Sequence, residues 1–299
     1  MGAKLEPGLF GAIEAGGTKI NMAVGTGAEN IVASLRVQTT TPEVTIAAIL
    51  AFFEPFADRI ASFGIASFGP VRIDKAAPDW GCLLATPKLG WSGKSFVHPL
   101  IERFGVPIDL DTDVNAAALA ECRFGALSGL HSAAYMTVGT GIGVGVIVDG
   151  KAIRGVLHPE IGHIPVRRLV EDAFAGCCPY HADCLEGLSA GPAIEARYGA
   201  ILSQLPRDHI AYRLVADYIG RACATVALSF SAERIVIGGG VFEAPGLHAA
   251  TAARLRRWLG GYLTDERFNL DSYVVPPGLG GQAGLTGALL LAQEALNRA

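Results

Sequence analysis

Two hairpins written in the same way, about half a chain apart, constrain this sequence more than any other feature. Leu9 to Ala15 and Lys19 to Gly25 are alternating apolar runs separated by Gly16, Gly17 and Thr18, the spacing of a β-hairpin with a glycine turn. Ala133 to Val138 and Val144 to Val148 repeat the plan around Gly139, Thr140, Gly141, Ile142 and Gly143. A pattern that returns in this way predicts two similar domains. The 299 residues suffice for them, because single cores stop growing at roughly 250 to 300 residues. The boundary is expected near Gly125 to Gly129, with an N-terminal domain over 1–125 and a C-terminal domain over 126–284. A last helix, at about 285–299, is expected to pack back onto the first domain.

Between the hairpins, Ile108 to Glu121 reads Ile-Asp-Leu-Asp-Thr-Asp-Val-Asn-Ala-Ala-Ala-Leu-Ala-Glu. The alternation ends at Asp113 and an alanine-rich run of high helix propensity follows at once, so a strand feeds directly into a helix. Asp111, Thr112 and Asp113 then stand where open α/β sheets place their ligands. A carboxylate there can act as a base. It can also simply cap the helix, a duty open to Asp113 or Thr112.

The other elements follow from the same patterns. Pro42 to Phe56 is a helix and Ile60 to Phe68 a strand running into Gly69 and Pro70. Pro78 to Trp91, with Trp80, Pro87, Gly90 and Trp91, has the make-up of a binding loop on a rigid scaffold. Ala190 to Gly199 and Tyr212 to Ala232 are helices, the second apolar enough to be buried. Glu233 to Ile237 is a strand, Leu247 to Leu259 a helix, Tyr273 to Val275 a strand and Leu285 to Asn297 a helix.

Hydrophobic residues make up 51% of the chain and charged ones 17%, which points to a well-buried globular protein. Net charge is -4 and no basic run appears, so nucleic acid is not an expected partner. The start, Met-Gly-Ala-Lys-Leu-Glu-Pro-Gly, lacks the apolar core of a signal peptide, and no later stretch approaches the roughly 18 apolar residues of a membrane span. A cytoplasmic protein without membrane contact is expected.

Four stretches suggest chemistry. Each glycine hairpin offers backbone N–H groups where no side chain blocks an anion, with Thr18 and Thr140 adding hydroxyls, so the pair could grip a triphosphate. Neither turn is a P-loop, because no Gly-Lys-Ser or Gly-Lys-Thr and helix follow. Gly238 to Gly240 follow a strand and could lie against an adenine or ribose, or could form a plain turn. Six cysteines are too few for a disulfide scaffold, and three crowd into Cys177 to Cys184. Cys178, His181 and Cys184 are spaced for a tetrahedral zinc site that needs a fourth ligand. His163 is preferred, with Cys177 and His158 in reserve.

Taken together the motifs resemble the ROK sugar kinases over nearly the whole chain. The residues that carry the resemblance are Glu-Ala-Gly-Gly-Thr-Lys at 14–19, Asp-Thr-Asp-Val-Asn-Ala-Ala at 111–117, Thr-Val-Gly-Thr-Gly-Ile-Gly at 137–143, Pro-Glu-Ile-Gly-His at 159–163 and the cysteine cluster running into Leu-Glu-Gly. Thr-Pro-Lys at 86–88, Trp91, His158 and the Cys-x-x-His-x-x-Cys cluster are similar to the bacterial fructokinases of the family. The resemblance implies an actin-like, ribonuclease H-like pair of α/β domains closing a cleft on MgATP and a hexose. It makes Asp113 the general base, and His163, Cys178, His181 and Cys184 the ligands of Zn2+ in a segment over 155–187. Gly16, Gly17, Thr18, Lys19, Thr140 and Gly141 become phosphate contacts, and Pro192, Gly239, Gly240, Val241, Phe242, Glu243 and Ala244 the rest of the nucleotide site. Gly69, Thr112, Asp113, Glu160, His163 and Glu186 become sugar contacts.

Two positions depart from the glucokinase pattern. Glu14 replaces an Asp that contacts magnesium, and Thr112 replaces an Asn that contacts sugar. The expected activity is phosphoryl transfer from ATP, with Mg2+, to the 6-hydroxyl of a hexose, D-fructose first, with mannose, glucose or N-acetylmannosamine as alternatives. A homodimer is expected. A sugar-sensing regulator would need a helix-turn-helix module, and only about ten residues precede the first hairpin. An ATP-driven assembly protein of actin-like fold would have no use for a metal-pinned carboxylate segment.

Overall fold

The structure is a computed structural model that describes residues 8–298; all but the last residue of the start read above lies outside the described residues. The chain forms two compact units. The described residues of Met1–Ala120, with Arg154–His158 and Gln282–Ala299, make the first, and Glu121–Ile153 with Pro159–Gly281 make the second.

In the first unit β1 (Leu9–Ala15), β2 (Lys19–Gly27) and β3 (Asn30–Gln38) form an antiparallel meander. Helix α1 (Pro42–Phe53) leads to β4 (Ile60–Ser67), and α2 (Val97–Phe104) leads to β5 (Ile108–Thr112). Helix α3 (Asp113–Phe124) follows β5 without a break. The sheet order is β3-β2-β1-β4-β5, with β4 parallel to both β1 and β5. The second unit holds β6 (Ser132–Val138), β7 (Ile142–Val148), β8 (Lys151–Ala152), α4 (Leu185–Ser189), α5 (Gly191–Tyr198), α6 (Ile210–Phe230), β9 (Arg234–Gly238), α7 (Leu247–Leu259) and β10 (Val274–Val275). Its order, β10-β9-β6-β7-β8, is the first order read from the other edge. The repeat visible in the hairpins thus extends to the whole sheets. Helix α8 (Ala283–Asn297) belongs to the first unit.

Alternation along β4 divides the first unit into layers. Phe63 and Ile65 point into a core with Ile49 and Phe53 of α1 and Leu100 of α2. Ser62, Gly64 and Ala66 point the other way, toward α8. There Ser62 Oγ donates to the Ala292 carbonyl at 2.6 Å. A Cβ on Gly64 would stand 1.9 Å from the Ala288 oxygen, so the helix backbone lies directly on the strand. In the second unit fourteen of the 21 residues of α6 are buried, as expected of a helix apolar nearly all round. None of the helices among the described residues is long and apolar enough to cross a membrane.

Two expectations change. Strand β3 is unannounced by the hydrophobic pattern because it is a solvent-facing edge, with Ile31, Val32 and Leu35 exposed. In the loop at 78–91 the tryptophans pack inward and do not stand open to solvent. Trp91 is fully buried, its Nε1 donates to the Thr40 carbonyl at 2.9 Å, and its ring stacks on Phe96 at 4.8 Å. Trp80 is half-buried beneath Lys75, 5.5 Å from its ring.

The contact between α8 and β4 leaves no room for a methyl group. Gly64→Ala should therefore lower stability by about 2 kcal/mol or more, the upper part of the range for overpacking, measured as a lower urea midpoint at unchanged m-value.

Candidate active site

The end of β5 is built around a buried carboxylate. Asp111 is fully buried, and its Oδ1 accepts from the Thr112 N–H and from Asn115 Nδ2, both at 2.8 Å. Its Oδ2 accepts from Arg154 Nη2 at 2.6 Å. Thr112 supplies the helix cap, since its Oγ1 accepts from the Asn115 N–H at 3.2 Å. Asp113, the first residue of α3, is half-buried and its Oδ1 accepts from the next N–H, that of Val114, at 2.9 Å. The choice left open between two capping residues thus falls on Thr112. Neither Asn115 nor Arg154 is singled out by the sequence reading, and Arg154 carries no local signal of its partner 43 positions away.

The first glycine turn is braced from the residue just after β3. Gly16 N–H donates to the Lys19 carbonyl at 2.9 Å, Thr39 Oγ1 to the Gly16 carbonyl at 2.8 Å and Thr39 N–H to the Thr18 carbonyl at 2.9 Å. Thr18 and Lys19 are exposed. Neither Gly16 nor Gly17 has a left-handed backbone, and a Cβ on Gly17 would meet no atom within 4 Å. Nearby, Glu14 accepts from Asn21 Nδ2 at 2.7 Å, and burial raises its pKa against the lowering effects of Asn21, Lys19 and Arg36. Gly69 ends the strand region at the start of a turn, and the Val71 N–H donates to His158 Nε2 at 3.1 Å.

The second glycine turn, in the other unit, is held by different partners. Gly139 N–H donates to the Gly141 carbonyl at 2.9 Å, and Gly191 N–H, at the start of α5, to the Gly139 carbonyl at 2.7 Å. Glu186 Oε2 accepts from Ile142 N–H at 2.9 Å and would lie 2.7 Å from a Cβ on Gly141. Gly139 is not left-handed and its Cβ position is clear within 4 Å. Gly239 is left-handed, with φ of 92°, and a Cβ there would strike the Val138 carbonyl at 2.4 Å. Glycine at 239 is therefore explained by the fold alone. The triple glycine packs beside the second turn, where Gly238 pairs with Thr137. Val241, Phe242 and Ala244 are buried in the core, so from them a ligand could take only backbone contacts; Pro192, Gly240 and Glu243 are exposed.

The histidines and cysteines gather as the spacing suggests. One ligand atom from each of His163, Cys178, His181 and Cys184 lies within 4.8 Å of the others. His163 Nδ1 is 3.6 Å from both Cys178 Sγ and Cys184 Sγ, and His181 Nδ1 is 3.8 Å from Cys178 Sγ. Bonds of 2.0 to 2.3 Å to a tetrahedral ion would put its ligand atoms about 3.5 Å apart, so the donor set fits such an ion. His158 and Cys177 stand outside the group. Gly187 makes the turn possible: a Cβ there would lie 1.9 Å from the Ala182 carbonyl. Burial, with Cys178 and Glu186 nearby, pushes the Cys184 thiol up to about 11.

His163 turns its other nitrogen, Nε2, toward Glu186 Oε1 at 4.0 Å. Desolvation, and then the Glu186 charge, push the Glu160 carboxyl up to about 7. The second unit thus assembles two carboxylates and a histidine edge beside its glycine turn, a set of acceptors and donors suited to hydroxyl groups.

Comparison with known proteins agrees. The ROK family pattern matches residues 10–295. The chain is 43% identical over 297 residues to the fructokinase of Zymomonas mobilis, an alignment covering 97% of this chain and 98% of that one. It is 41% identical over 293 residues to the fructokinase of Pediococcus pentosaceus, covering 97% and 100%. Among solved structures, the ROK hexokinase from Thermus thermophilus superimposes with a TM-score of 0.78 at 29% identity, covering 97% of this chain and all of that one. With the family pattern spanning nearly every described residue, the chain belongs to the ROK family.

Proposed function

We propose that the protein transfers the γ-phosphoryl group of ATP to the 6-hydroxyl of a hexose, with D-fructose the preferred acceptor. The observation that carries this reading is the carboxylate of Asp113 at the junction of β5 and α3, where Thr112 already caps the helix. The fructokinase relatives support the choice of sugar. In a loose transition state the attacking hydroxyl becomes acidic late, so an ionised carboxylate suffices as base, and the amino end of α3 favours the ionised form.

The remaining roles follow the geometry within each unit. Gly17 and Gly139 leave the backbone clear for phosphate oxygens, with Thr18, Lys19, Thr140 and Gly141 beside them. Glu14, desolvated and raised in pKa, would be held ionised by a magnesium ion bound beside it. Pro192 and the backbone of Gly239–Ala244 hold the nucleoside. Gly69, Thr112, Glu160, His163 and Glu186 take the sugar hydroxyls, Thr112 with the donor capacity that capping leaves it. His163, Cys178, His181 and Cys184 hold zinc, which fixes the ring of His163 and through it the surroundings of Glu186. A coupled assay over fructose, mannose, glucose and N-acetylmannosamine tests the whole: fructose should give the highest kcat/KM. Turnover with none of the four would refute the kinase reading, and a better sugar than fructose would refute the preference.

Asp113→Asn keeps an oxygen for the Val114 N–H and leaves the cap on Thr112. Thermal stability should stay within about 0.5 kcal/mol while kcat falls by roughly 10² to 10⁴.

Gly17→Ala and Gly139→Ala introduce a methyl group that meets nothing in the fold. Each should leave stability unchanged or raise it by about 0.4 to 1 kcal/mol through the unfolded chain. KM for ATP should nevertheless rise by about tenfold, the equivalent of one lost hydrogen bond to a charged group. Calorimetry and ATP kinetics on the same preparations check both halves.

Elemental analysis should find about one zinc per chain, and Cys184→Ser should lower it. Chelation should raise KM for sugar more than KM for ATP, because Glu186 and His163 act directly on hydroxyls, while of the two phosphate turns only the second leans on Glu186 and the first is held by Thr39. Equal changes in both constants would mean that the metal supports the whole unit.

A further inference from the structure

Five residues of the first unit are lent by a chain segment that otherwise builds the second. The chain leaves the second unit after Ile153, contributes Arg154–His158 to the first, and resumes the second at Pro159. Both ends of this strap are fastened by polar bonds to buried groups. Arg154 Nη2 donates to Asp111 Oδ2 at 2.6 Å, and Asp111 has no exposed surface. His158 is buried, and its Nε2 accepts the Val71 N–H at 3.1 Å.

The two fastenings share a pattern. Val71 stands two residues after Gly69, Asp111 two before Asp113, and His158 two before Glu160. Each bond therefore holds backbone next to a group placed above at the sugar or at its deprotonation. An imidazole that accepts at Nε2 carries its proton on Nδ1, so the bond defines the tautomer and the ring plane as well. A buried N–H without an acceptor is desolvated and unpaired, which makes the His158 bond hard to replace by water. Glu160 then lies in sequence between two anchors, His158 on one side and the metal ligand His163 on the other.

We propose that Arg154–His158 is a positioning strap for the sugar site, in which Arg154 and His158 act through Asp111 and Val71 and do not touch substrate. The proposal rests on the hexose-kinase reading above. Its consequence is selective, since the glycine turn at Gly16 and Gly17 is braced by Thr39 and not by the strap.

The test uses the full-length protein. His158→Leu removes the acceptor, and His158→Gln keeps an oxygen that can take the Val71 N–H. His158→Leu should raise both the Kd for fructose, read by titration calorimetry without nucleotide, and KM for fructose by about tenfold or more. KM for ATP should move by less than about twofold, and His158→Gln should recover most of the loss. Arg154→Met should show the same split, and adding Asp111→Asn to it should restore part of the sugar affinity by removing the stranded charge. Arg154 is two-fifths exposed, so this pair provides the comparison if His158→Leu does not fold. Leucine and glutamine variants that behave alike, or sugar and ATP constants that rise together, would overturn the strap. A parent protein that binds fructose but phosphorylates no hexose would instead count against the kinase reading and leave the calorimetric comparison standing.

Discussion

Much of the first unit depends on a carboxylate taken out of water. Stranding such a charge costs several kcal/mol, so Asp111 can be buried only with donors arranged around it. Two of them, the Thr112 N–H and Asn115 Nδ2, lie in the strand-to-helix junction and shape it. The third, Arg154, draws a remote piece of chain to the same point. Asp109, one step back in the strand alternation, is buried as well and pairs with Lys75 at 3.0 Å and Arg298 at 3.1 Å. Asp109, Asp111 and Asp113 thus form a series with a period of two. The first two are neutralised by structural cations, and the third begins a helix where chemistry is proposed.

The two sheets repeat one plan but not one chemistry. Each starts with a hairpin whose glycine turn is unforced by backbone handedness, and each adds two parallel strands beside it. The first unit places its aspartates along β5 and at the start of α3; the second sets Glu186 against its glycine turn, with the histidines and thiols behind it. A duplicated scaffold with unlike side chains is how one architecture can serve two halves of a reaction.

How much of this could be read from residues alone depended on the range of the interaction. The hairpins, the strand feeding α3 and the Cys-x-x-His-x-x-Cys turn are local patterns, and each was legible. So was the burial of α6, because its composition is apolar on all but one stripe, that of Arg213, Asp217, Arg221 and Thr225. Strand β3 escaped because an edge strand facing water lacks the alternation that marks a half-buried one. The burial of Trp91 was not legible for a related reason, since an aromatic in a Pro- and Gly-rich loop looks the same whether it packs inward or stands open. Arg154 and His158 were the hardest. Their partners are 43 and 87 residues away, and nothing in Ile-Arg-Gly-Val-Leu-His announces either bond. Val241, Phe242 and Ala244 carry the family motif, but that their side chains face the core required coordinates.

The place of α8 in the first unit has a consequence for synthesis. Its backbone covers β4 so closely that Gly64 can carry no side chain, and Ser62 completes its hydrogen bonding there. Yet more than two hundred residues separate that strand from the helix. At translation rates of about 5 to 20 residues per second, on the order of ten to forty seconds pass between the two. The second unit has all its strands and helices before α8 exists. The half of the protein that begins first is thus the half that finishes last, and for that interval one face of its sheet is a nascent-chain surface in need of a chaperone or of speed.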